Sequence, residues 1–109
     1  MISSYKVLGQ VKPSATTDTT LYTVPAATQT VSSTLSICNQ SATSATFRVR
    51  IKVNGAADDG KQYLVYDAPI DGNDTLLLTF GASLAVADVV RVFASSADLS
   101  FQLFGTELA

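Results

Sequence analysis

The segment ATFRVRIKVNG, residues 45–55, sets four apolar side chains, Phe47, Val49, Ile51 and Val53, against three cations, Arg48, Arg50 and Lys52. Those are three of the seven basic residues in the chain. Successive side chains of a strand point to opposite faces, so a period of two puts the apolar groups on one side and the cations on the other. Three cations in a row span about 13 Å at ~3.3 Å per residue. Such a row has two uses. It can pair across the sheet with carboxylates of neighbouring strands and blunt an edge against aggregation. It can also dock an acidic surface on a partner protein.

Reactive chemistry finds few residues. The chain has no histidine, which removes Ser-His-Asp and Cys-His arrangements. Cys38 is the single cysteine, so no intrachain disulfide forms and a His/Cys zinc site lacks ligands; Cys38 reads as a small, buried or half-buried side chain. There is no P-loop and no GxGxxG. Asp58, Asp59, Asp71, Asp74, Asp88 and Asp98 lie in turns, where Asp normally caps its own backbone. No carboxylate spacing favours a glycosidase pair, and neither NGAADDG nor DGND has the spacing of a calcium loop. The expectation is no catalytic residue, no metal and no cofactor. A carbohydrate platform would have to use Tyr63 or Tyr66 in QYLVYD, because there is no Trp.

The elements that position these residues are strands. Eight runs rich in Val, Leu, Ile, Thr, Phe and Tyr cover residues 5–10, 20–24, 30–40, 46–53, 62–68, 74–80, 89–95 and 99–108. They are separated by Gly, Asn, Asp, Ser and Pro clusters. Asn54-Gly55 and Asp71-Gly72 favour positive φ in tight turns. SSAD, residues 95–98, is short enough to join the last two strands as an antiparallel hairpin. One weak helical pattern, SLAVADVV at 83–90, reads better in its second half as the start of a strand. Short strands without helical crossovers imply antiparallel pairing. The expected fold is therefore all-β: one domain, residues 1–109, forming a single antiparallel β-sandwich of jelly-roll or immunoglobulin-like type, with a small barrel as the alternative. The expected core comprises Val31, Leu35 and Ile37; Phe47, Val49, Ile51 and Val53; Leu76, Leu78 and Phe80; Val90 and Val92; and Leu99, Phe101 and Leu103. Leu77, Phe93, Phe104 and one pair from residues 63–66 fall on outer faces, which fits either a sheet face covered by a neighbouring subunit or a more curled core.

Composition narrows the setting. Of 109 residues, 47% are hydrophobic and only 15% charged, against ~25% charged in typical soluble domains. Ser and Thr, 25 in all, cover the surface instead, which suits extracellular, virion or adhesive β-proteins. A net charge of −2 argues against nucleic acid as the main partner. No segment has the apolar length of a signal peptide or a membrane span, so the chain is expected to be soluble when made, in a reducing cytoplasm.

The opening YKVLGQ, the LYTVP turn, the YDAPIDGNDT segment and the closing LSFQLFGTEL resemble a group of small structural proteins of tailed bacteriophages, especially phages of cyanobacteria and other aquatic bacteria. The resemblance covers nearly the whole chain and rests on structural signatures. It implies a virion component without enzymatic activity, synthesised in the bacterial host cytoplasm and released by lysis. The expected partners are identical subunits, a trimer first, and other virion proteins at the tail or neck, with neither nucleic acid nor membrane. Arg48, Arg50, Lys52, Tyr63, Tyr66 and Phe104 are the candidate interface residues. The alternatives are a capsid decoration protein of the head and a module that binds a host-surface glycan or receptor.

Overall fold

The two-residue rhythm becomes strand in all eight runs. In the computed structural model, which describes residues 2–109, the strands are β1 (Ser3–Val11), β2 (Thr19–Thr23), β3 (Gln29–Asn39), β4 (Ala45–Lys52), β5 (Tyr63–Ile70), β6 (Thr75–Thr79), β7 (Ser83–Leu84), β8 (Val89–Ala94) and β9 (Leu99–Leu108). Only the two-residue β7 lacks a counterpart among the runs. It occupies the first half of the weak helical pattern, whose second half begins β8.

Two antiparallel sheets result. The first has the order β1-β9-β3-β6, with β7 also on β3; the second has β2-β8-β4-β5. Consecutive strands therefore mostly alternate between sheets, and β4 with β5 is the only consecutive pair hydrogen-bonded to each other among the described residues. This interleaved order is that of a jelly roll. It also corrects the expected hairpin at 95–98. β8 lies between β2 and β4, and β9 between β1 and β3, so neither has an edge left for the other. The SSAD link instead arches between sheets, tied down where Ser95 N donates to Thr46 O and Gln40 N to Asp98 O, both 2.9 Å.

Leu35, Ile37, Val92, Leu99, Phe101 and Leu103 are fully buried between the sheets, with Phe47, Val49 and Val90 nearly so. Phe47 meets Phe101 edge to face at 6.2 Å, a favoured aromatic geometry. Leu76, Leu78 and Phe80 are partly buried against this cluster. Two expected core residues are outside. Val31 is exposed because the β3–β9 register shifts between Ser32 and Thr34; one extra residue on a strand reverses every face before it. Val53 is exposed because the chain leaves β4 at Lys52 and enters a 3₁₀ turn, Val53–Gly55.

That turn carries the anticipated positive φ, 53° at Asn54 and 65° at Gly55. In the 71–74 turn the positive φ falls on Asn73, at 55°, and not on the Asp71-Gly72 pair. Gly72 is required for close approach: a Cβ there would lie 2.1 Å from Ala42 O.

Candidate functional site

The outer face of the β2-β8-β4-β5 sheet carries the cation row. Arg48 grips Asp67 in two bonds, Nε to Oδ1 at 2.6 Å and Nη2 to Oδ2 at 3.2 Å. Its guanidinium lies between the rings of Tyr66 and Phe93, 4.3 and 4.4 Å from their centroids. Asp67 reaches it from a bulge in β5, where its φ is +50° and the β4–β5 register shifts. The hydrogen bond from Arg48 holds the Asp67 carboxyl below the usual carboxylate range.

Arg50 and Arg91 sit directly opposite each other on β4 and β8. Like charges so placed repel, and Asp18, just before β2, bridges them. Its Oδ2 forms an ion pair with Arg50 Nη2 and accepts a hydrogen bond from Arg91 Nε, each at 2.8 Å. Arg91 also donates to Thr20 Oγ1 at 2.7 Å and Asp18 O at 3.1 Å. The Arg50 side chain is only 8% exposed, its Nε has no hydrogen-bond partner, and its guanidinium lies 5.2 Å from the Tyr63 ring. Burial works against its charge, yet hydrogen bonding to and attraction by Asp18 keep its pKa above the ordinary value. Asp58 completes the row by accepting from Lys52 and, at 3.4 Å, from Arg50. The Lys52 bond, then the Arg50 charge, depress the Asp58 carboxyl.

All three cations of the row are thus paired within the chain, by acids from a preceding loop, the 56–62 loop and a bulge. Tyr63 and Tyr66 join them, ring to ring at 4.9 Å. Arg48 covers one face of Tyr66 and leaves the residue 60% exposed. Five of the six candidate residues therefore share one face. The sixth, Phe104, is half-buried on the outer face of the other sheet. Three of the six turn carboxylates cap backbone N–H groups: Asp59 that of Lys61, Asp74 that of Thr75, and Asp88 both that of nearby Ala85 and, across the fold, that of Asn54. Among the described residues no three His, Cys, Asp or Glu side chains gather as metal ligands would.

The opposite outer face, that of β1-β9-β3-β6, carries no charged side chain. Only Lys6 and Glu107 are charged in all its strands; Glu107 turns inward, and Lys6, half exposed at the edge, reaches over to it. They pair at 2.6 Å, and Glu107 also accepts from the hydroxyl of Tyr22, which lies 2.7 Å from Thr30 Oγ1. The Lys6 bond, then that from Tyr22, depress Glu107, while burial and then the Glu107 contact push Tyr22 up to about 12. What faces outward is Tyr5, Val7, Val31, Leu77 and Phe104 among Ser, Thr, Gln and half-buried Cys38. Tyr5 is 85% exposed and Leu77 66%. Leu77 and Phe104 are legible as outer-face residues in the sequence; Tyr5, Val7 and Val31 are not. The available signal was the scarcity of charge, Lys6, Asp74 and Glu107 alone, in the runs that form this sheet.

No protein-family profile matches the chain, and no curated protein matches it. Two crystal structures of a pentameric capsid protein isolated from metagenomic phage sequences, one solved by iodide SAD phasing, are similar to it. The first overlaps with a TM-score of 0.44 at 16% identity, over 93% of this chain and 58% of that one. The second overlaps with a TM-score of 0.42 at 14% identity, over 95% and 64%. This chain spans less than two thirds of either. At such low identity and loose overlap the likeness transfers no role to this chain.

Proposed function

We propose that this chain is a non-enzymatic structural protein of a tailed-phage virion that self-associates and docks on a larger assembly at the tail or neck. The observation that carries this reading is the segregation of charge between the two outer faces. The charge-free outer face can meet a second copy without desolvating any ion, a cost that burial of a charge always brings. The other face presents Arg48, Arg50, Lys52, Tyr63 and Tyr66 to non-identical virion proteins. Its cations Arg48, Arg50, Lys52 and Arg91 outnumber Asp18, Asp58 and Asp67, which favours an acidic partner. A closed ring, a trimer first, suits repeated identical contacts. The sequence resemblance supplies the phage setting.

The jelly-roll order supports a second position, on the head, because viral capsid proteins use that architecture; this is analogy of fold. Multi-angle light scattering across a hundredfold concentration range tests self-association, and a strict monomer throughout overturns the proposal. Copies per particle, counted by quantitative mass spectrometry, separate the positions. Six or twelve supports tail or neck; hundreds supports head decoration and overturns the tail placement.

A further inference from the structure

One edge of the charge-free sheet, β6, differs from the edges of its partner sheet. A free edge exposes unpaired backbone groups, and proteins blunt it with charges, proline, bulges or very short strands. β5 is blunted by two register shifts against β4, Pro69 and the left-handed Asp67. β2 has five residues and a register shift. β6 is as short as β2 but has none of the bulge, proline or charge devices: Thr75–Thr79 reads TLLLT and pairs with β3 in unbroken register. β1 runs nine residues and is blunted only in part, by one shift near Leu8 and by Lys6, which pairs with Glu107 while half its side chain stays exposed.

These two edges have opposite polarity. Each strand in β1-β9-β3-β6 is antiparallel to the next, so after three steps β6 runs opposite to β1. A second copy displaced sideways, or rotated about an axis along the strands, presents its β1 antiparallel to the β6 it meets. Exposed apolar side chains concentrate on the same edges: Tyr5 and Val7 on β1, Leu77 on β6. All three point outward, so they would gather over the seam. Beside β6, between the sheets, lies an apolar hollow of about 270 Å³ lined by Leu35, Val49, Leu64, Val65, Leu78 and Phe80. A strand added to β6 would cross its mouth.

We infer that β6 of one copy pairs with β1 of the next, extending the charge-free sheet head to tail from subunit to subunit. The overlap is limited by β6, five residues or about 17 Å at ~3.4 Å per residue. One such seam is small beside the ~1,200 Å² of a stable specific interface. Each copy offers both a β1 and a β6, so ring closure gives every subunit two seams. The inference rests on the self-association proposed above and specifies its geometry.

The experiment combines light scattering with hydrogen exchange on the full-length protein. Leu77→Lys places the commonest natural edge blocker on an outward, exposed side chain; Tyr5→Lys does the same on β1, should either variant fold poorly. Both are expected to reduce a discrete oligomer to monomer, whereas Tyr66→Ala on the other sheet leaves the mass unchanged. Amides of residues 3–11 and 75–79 are expected to exchange at least tenfold slower in the wild-type oligomer than in the Leu77→Lys monomer. Cys38, on the interior strand β3, should keep its thiol reactivity on assembly. A wild type that stays monomeric overturns self-association and this geometry together. An oligomer whose edge amides exchange as fast as the monomer's, or whose Cys38 becomes protected, overturns the edge pairing alone.

Discussion

Replacing Asp18 with asparagine should destabilise the fold far more than its place in a surface loop suggests. The carboxylate holds two guanidinium groups from opposite positions on β4 and β8, each at 2.8 Å. The amide keeps the shape of the side chain, and the backbone carbonyl that accepts from Arg91 is untouched, but the charge between Arg50 and Arg91 is gone. Arg50, 8% exposed, then has only Asp58 at 3.4 Å, itself 64% exposed. Breaking a fully buried pair by removing one partner costs about 3–5 kcal/mol. Asp18 is 22% exposed and Asp58 remains, so the expected loss is about 2–3 kcal/mol. In a urea titration of dilute protein, with m of ~1.5 kcal/mol/M, the midpoint should fall by about 1–2 M. Most of the loss should persist in about 0.5 M salt, because a buried pair is weakly screened. Arg50→Met in the Asp18→Asn background should recover most of it by removing the uncompensated cation. Asp58→Asn, on an exposed acid, should be barely measurable. A loss below about 0.5 kcal/mol for Asp18→Asn, or one equal to that of Asp58→Asn, would refute the view that this network stabilises the charged face.

Tyr22 should make the fold sensitive to alkali. The unfolded chain releases this proton near 10, the folded one near 12, so deprotonation favours unfolding. Stability is full below pH 10 and falls as pH climbs toward 12, by about 2–3 kcal/mol at ~1.36 kcal/mol per unit. Urea midpoints from pH 9 to 12 should show this decline in the wild type and lose it in Tyr22→Phe; parallel profiles would count against the buried Tyr22–Glu107 contact. Phe101→Ala, at a fully buried ring packed on Phe47, should cost about 3–5 kcal/mol, read by the same titration. A loss under about 1 kcal/mol would mean that the two sheets do not close on Phe101.

Strand content was legible because half-buried β-sheet writes itself as alternation, and eight apolar runs gave eight strands. The β3 face was misread at Val31 because the extra residue sits among Ser32, Ser33 and Thr34. Three hydroxyl side chains carry no inside–outside signal, so a slip of one leaves no trace in the hydrophobic pattern. Val53 continued the alternation of β4 in sequence, but the strand ended one residue earlier, at a turn encoded by Asn54 and Gly55. The sheet assignment of β8 and β9 was illegible for a different reason. A four-residue link fits a hairpin or an arch equally well, and only the occupation of both edges of each strand by long-range partners decides. Pairing of Arg48, Arg50 and Lys52 with acids was one of two readings of the row. Their actual partners, Asp18, Asp58 and Asp67, come from two loops and a bulge, and no local spacing announces them.

The low charge of this chain is therefore an uneven distribution as much as a shortage. Four cations and three carboxylates are spent on one sheet face, interlocked so that each cation has an acidic partner and one positive charge is left over. The other sheet keeps two charges, paired with each other and off its outer face. A monomer built this way carries a liability, because an uncharged, unbulged edge such as TLLLT invites another strand. Blunting it would have needed only one outward lysine at position 77. The partner sheet shows that this same chain can blunt an edge, at β5, with Pro69 and two bulges. An edge left open beside an edge firmly closed, in one small sandwich, is the pattern expected when the open one is covered in the working assembly.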